Sequence, residues 1–161
     1  ILTCIFINPW FNLFRNAFSD LGGPKATDPW IYNYGLVGVA VLVLAYSVQL
    51  AVLANNKLET MGSAFAMVAS FFLALIGVYH EGTYPHVFVS TWFFVQFGVT
   101  IAFWGFGLLK RGRTRLGAAN LVLLFVAAAV SIAVKWPSTA TLEAWGIASV
   151  DAWTILMFWV R

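Results

Sequence analysis

Four uninterrupted apolar stretches, residues 31–54, 61–79, 87–109 and 116–134, dominate this chain. The hydrocarbon core of a bilayer is about 30 Å thick, so a helix rising ~1.5 Å per residue crosses it with about 20 residues. In lipid every backbone N–H and C=O has to be bonded within its own segment or a closed barrel. No strand-like alternation recurs, which argues against a barrel, so stretches of this length predict helices. A fifth stretch covers 144–160 and is cut by the end of the chain, and 1–7 reads as the end of a helix whose start is missing. The expected fold is therefore all-α: an integral membrane six-helix bundle, forming a single transmembrane domain over 1–161 with its first and last helices truncated.

Composition supports the same class. Only 9% of the residues are charged and 61% are hydrophobic, where a soluble domain carries about 25% charge. Such a chain cannot cover a water-facing surface, which excludes a soluble enzyme, a disordered protein and a soluble nucleic-acid binder. A pI near 9.3 then reflects membrane orientation rather than a nucleic-acid partner. The expected partners are membrane lipids. A single cysteine, Cys4, allows no intrachain disulfide.

Charge predicts the orientation. Lys110, Arg111, Arg113 and Arg115 crowd one short connection, and short basic connections stay in the cytoplasm. Alternation puts Lys57, Glu59 and Arg161 on the same side, six basic residues against one acidic. The opposite side carries Arg15, Lys25 and Lys135 against Asp20, Asp28, Glu81, Glu143 and Asp151. The expectation is a cell-membrane protein with both termini cytoplasmic and an acidic outer face. Trp10, Trp30, Trp136 and Trp145 fall at the outer helix ends and Trp159 at the inner, as an aromatic belt requires. Gly35, Gly38, Gly62, Ala66, Gly105 and Ala127 to Ala129 are candidates for close helix contact.

Between Asn8-Pro9, a helix start signal, and Gly22-Gly23, a stop signal, the polar residues Asn12, Arg15, Asn16, Ser19 and Asp20 recur with helical spacing. Trp10, Leu13, Phe14, Ala17, Phe18 and Leu21 make the opposite face. This predicts an amphipathic outer-surface helix over 9–21, either a plain anchor or the roof of a pocket in which Arg15, Asn16 and Ser19 bind a ligand. The next outer connection reads His80-Glu81-Gly82-Thr83-Tyr84-Pro85-His86. Imidazole and carboxylate are ligand types of zinc, so His80, His86 and Glu81 are candidate metal ligands, although the spacing equally suits interfacial histidines at helix ends. Asp151 stands about seven residues inside the last apolar stretch. A carboxylate there either faces the bundle interior as a functional group or caps a helix that starts near Ser149. Asp20, His80 and Asp151 are the candidate catalytic residues, with Asp20 the expected partner of His80 and Arg15 a partner for Asp151.

The segments Asn8-Pro9-Trp10-Phe11, Asn16-Ala17-Phe18-Ser19-Asp20-Leu21-Gly22, and Trp30-Ile31-Tyr32-Asn33-Tyr34-Gly35-Leu36, followed by the turn Gly82 to His86, resemble the prokaryotic membrane family called domain of unknown function 998. The resemblance covers most of the chain. It implies a six-helix, multi-pass protein and carries no assigned reaction. A fainter likeness links it to the eukaryotic damage-regulated autophagy modulator family, some of whose relatives are linked to lipid-anchor remodelling.

Two functions follow from the residues. One is a polar outer pocket that binds or modifies a lipid headgroup or small molecule, with the carboxylates and imidazoles as acid–base groups or metal ligands. The other is a structural or accessory subunit whose polar connections organise a partner. A transporter fits less well, since no pair of broken helices is visible.

Overall fold

The computed structural model describes residues 1–160. Arg161, counted above with the basic side, lies outside them. Six α-helices follow one another: α1 (Leu2–Ile7), α2 (Pro29–Leu53), α3 (Lys57–Val78), α4 (His86–Lys110), α5 (Thr114–Ala133) and α6 (Thr139–Met157). Two short 3₁₀ helices, Phe18–Gly22 and Phe158–Val160, complete the described residues. Four helices, α2 to α5, are long and apolar enough to cross a membrane.

Most boundaries fall within a few residues of the apolar stretches, and side-chain caps explain where two helices start early. Asn56 Oδ1 accepts from Leu58 N and Glu59 N at the head of α3. Ser138 Oγ accepts from Thr141 N at the head of α6. That cap starts α6 at Thr139, so Asp151 lies deep within the helix and does not cap it.

The helices form a bundle in which α3 packs most extensively on α2 and α4, α4 then on α5, and α6 more lightly on α5. Small residues set the closest approaches. A Cβ on Gly62 would stand 2.7 Å from the Trp104 ring, and one on Gly117 would stand 2.8 Å from the Gly105 carbonyl. Gly35 and Gly38, by contrast, face open space, which corrects the expectation that they mark a helix contact. Trp104 and Trp153 are wholly buried, and Trp153 Nε1 donates to Asn120 Oδ1 at 2.7 Å, tying α6 to α5 inside the core. Outward, Leu42, Val52, Phe71, Phe125 and Ile132 are each more than 60% exposed, the arrangement lipid favours.

The expected amphipathic helix over 9–21 is not formed. The chain there makes turns and only the 3₁₀ helix at its end. Its asparagines are the cause: their side chains bond nearby backbone and offer an alternative to helix. Asn12 Oδ1 accepts from Phe14 N, and Asn16 Oδ1 from Asn12 N. Asn8 is fully buried and binds both ways, donating to Cys4 O and accepting from Thr27 N, which folds the connection back on itself.

Candidate functional site

Three connections meet at the acidic end of the bundle: α1–α2, α3–α4 and α5–α6. The 16–22 segment is the hinge of this meeting, and each residue has a traceable role. Asn16 O accepts from Ala140 N (2.9 Å), which attaches the first connection to the head of α6. Asp20 Oδ2 accepts from Ala17 N (2.9 Å) and so closes its own 3₁₀ helix. Leu21 is fully buried. Gly22 sits against the Asn33 side chain with no room for a Cβ, and Asn33 Nδ2 donates to its carbonyl at 3.0 Å. Ser19 reaches from the segment to the α3–α4 connection: its Oγ donates to Glu81 Oε2 at 3.2 Å.

Glu81 is the centre of the cluster. His86 Nε2 lies 3.0 Å from the same Oε2, with the imidazole buried and the carboxylate partly open. On its other side, His86 Nδ1 is 2.7 Å from Tyr79 O. A carbonyl only accepts, so Nδ1 carries a hydrogen. The short contact at Nε2 then requires one further proton, shared between imidazole and carboxylate. This is an acid–base pair with a fixed ring, the arrangement proton transfer needs. The turn that creates it depends on Gly82, whose φ of +89° lies in the left-handed region open to glycine.

Glu143, from the second turn of α6, closes the cluster from the opposite side, with Oε2 accepting from Phe18 N at 2.6 Å. Burial pushes its carboxyl up to about 7, the charges of Asp20 and Glu81 add to the rise, and the Phe18 N–H opposes it. Sequence reasoning counted Glu143 only as an outer charge. A signal was available: Glu143, Ile147, Val150 and Thr154 share one helical face, the face that also carries Asp151.

Beneath the cluster lies a half-open chamber of about 1000 Å³ between α4, α5 and α6, with Arg15, Asn16, Ser19, Asp20, Glu81 and His86 at its polar end. Arg15 is exposed and, among the described residues, its guanidinium has no partner. The structure thus brings the expected binding residues Arg15, Asn16 and Ser19 to one chamber with Asp20, Glu81 and His86.

Other expected pairings are not made. Asp20 does not bond His80: its carboxylate closes the 3₁₀ helix, and His80 Nδ1 lies 2.8 Å from Glu81 O. Asp151 is exposed and pairs neither with Arg15 nor with any other described residue. It edges a second chamber, between α2 and α6, which corrects the expectation that it faces the bundle interior. Of His80, Glu81 and His86, only the last two meet side chain to side chain. Among the described residues no three His, Cys, Asp or Glu side chains gather around one point that could hold a metal ion.

No curated protein and no solved structure matches this chain. A family profile matches residues 1–160. That profile spans both polar connections that build the cluster, and the chain belongs to the family described as Protein of unknown function (DUF998).

Proposed function

We propose that this chain is a multi-pass cell-membrane protein, both termini cytoplasmic, that holds the headgroup of a membrane lipid in the chamber beneath its outer connections. The observation that carries this reading is the Glu81–His86 pair, 3.0 Å apart at the polar end of a chamber of about 1000 Å³. With Nδ1 committed to Tyr79 O, Nε2 is the ring atom that gives or takes a proton at a bound group, and Glu81 is its exchange partner. The free guanidinium of Arg15 suits a phosphate oxygen pair. The orientation is supported by four basic residues between Lys110 and Arg115. Thr114→Cys and Thr27→Cys variants are expected to label from opposite sides of sealed cells.

Native mass spectrometry of the protein released from membranes tests the headgroup reading. The wild type is expected to retain phospholipid, and His86→Gln and Glu81→Gln to lose most of it while remaining folded. A wild type that retains none, or variants that retain it fully, would defeat the reading. The polar end would then be a surface for a partner subunit.

A further inference from the structure

Resting on the headgroup reading, we propose that the ligand is a two-chain lipid with an amine-bearing headgroup, its chains divided between two chambers that meet at the polar cluster. The chamber already described lies between α4, α5 and α6. The second, of about 590 Å³, opens between α2 and α6 over a floor from α3 and α4, is walled by Gly35, Val39, Val43, Ile147 and Val150, and has Ile1 at its edge. The two share Ser19, Ser90, Phe94, Phe97, Glu143 and Val150. Their common boundary is therefore hydroxyl and carboxylate at the top and aromatic and aliphatic below.

The lining of each chamber runs far enough along its helix to hold an acyl chain. Along α2 the lining of the second chamber runs from Ile31 to Tyr46, and along α4 that of the first runs from Val87 to Ile101. Each distance is roughly 20 Å at the α-helical rise, whereas one leaflet of hydrocarbon is about 15 Å. Below the shared boundary, Asp151 is the charged residue on either wall, and it is exposed at the rim. Two apolar chambers joined at one polar centre have the shape of a molecule with two tails and one head.

Charge selects the headgroup. Asp20, Glu81 and Glu143 face the cluster together with Arg15 and His86. A headgroup carrying an ammonium beside its phosphate is complementary to that mixture, the phosphate to Arg15 and the ammonium to the carboxylates, and one without an ammonium leaves the carboxylates unanswered.

The test uses the full-length protein in nanodiscs or detergent, titrated with phosphatidylethanolamine, its one-chain lyso form and phosphatidylglycerol, and read by native mass spectrometry. Phosphatidylethanolamine is expected to bind at least about tenfold more tightly than either comparison lipid, about 1.4 kcal/mol. A Cβ at Gly35 meets nothing within 4 Å, so Gly35→Leu fills the second chamber without disturbing a helix contact. It is expected to weaken the two-chain lipid to the level of the lyso form and leave the lyso form unchanged. Ala128→Leu, on the wall of the other chamber, is expected to act in the same direction. Equal binding of the one-chain lipid would mean that protein, not lipid, fills the α2–α6 chamber, and would overturn the proposal while sparing the headgroup reading. A preference for phosphatidylglycerol would also overturn it. Binding of none of the three overturns both.

Discussion

The two ends of the bundle each hold a carboxylate against a basic side chain, and they use it differently. At the basic end Glu59 is fully buried, with Arg111 Nη1 3.3 Å from its Oε2 and Asn55 N donating to the same oxygen at 2.7 Å. Arg111 and Arg113 both also donate to Val160 O, so the start of α3, the α4–α5 connection and the segment after α6 are tied together. Gly107 leaves the room: a Cβ there would stand 2.5 Å from Glu59 Cγ. At the acidic end Glu81 is 39% exposed in its side chain, lies 3.0 Å from His86 Nε2 and borders a large chamber. The first carboxylate is committed to holding helices, whereas the second stays partly open, where the proposed headgroup would sit. Burial, not residue type, separates a staple from a site.

That contrast can be broken in order of effect. Arg111→Ala is expected to cost the most, about 3–5 kcal/mol, because it leaves a buried carboxylate without its counter-charge. Thermal unfolding in detergent would show this as a large fall in Tm, with lipid retention per folded molecule unchanged. A fall no larger than that of an exposed-pair variant would end the distinction between the two ends.

Trp153→Phe comes next. It leaves the buried Asn120 oxygen unpaired, and roughly 1–3 kcal/mol is expected for that loss. Glu81→Gln is expected to cost less than about 1 kcal/mol, as partly exposed pairs do, while removing most of the lipid. Comparing Tm and retention across these three variants sharpens the comparison, since a staple and a site should separate on the two axes.

A pH dependence tests the acidic end alone. The folded-state pKa of Glu143, about 7, is raised above its ordinary 4.5. The folded protein therefore binds the extra proton, and the stabilisation linked to it is full below about 4.5 and lost as the pH rises through 7. Tm measured from pH 5 to 8 is expected to fall across that window in the wild type, and more weakly in Glu143→Gln. Identical slopes would show that Glu143 is not held in the acidic cluster.

Sequence by itself determined the helices and the acidic connections. Apolar runs long enough for a bilayer can satisfy their backbone only as helices, and so α2 to α5 were legible from length alone. The Ser19–Asp20–Leu21–Gly22 segment was legible as a motif, and the His80 to His86 turn as a source of imidazole and carboxylate. Tertiary structure decided which of these residues meet. The stripe over 9–21 has helical spacing, but spacing does not register competition from asparagine side chains for the backbone, and that competition unfolds it. Asp20 and His80 sit in adjoining connections, yet Asp20 Oδ2 and His80 Nδ1 bond local backbone, and it is Ser19 and His86 that reach Glu81. Glu143 joins them across 125 residues of chain through Phe18 N, a contact no local pattern encodes. Which side of α6 faces a chamber, and therefore where Asp151 points, depends on the light packing of α6 against its neighbours. Local chemistry is written along the chain, whereas the meeting of remote polar groups is set by how apolar surfaces pack.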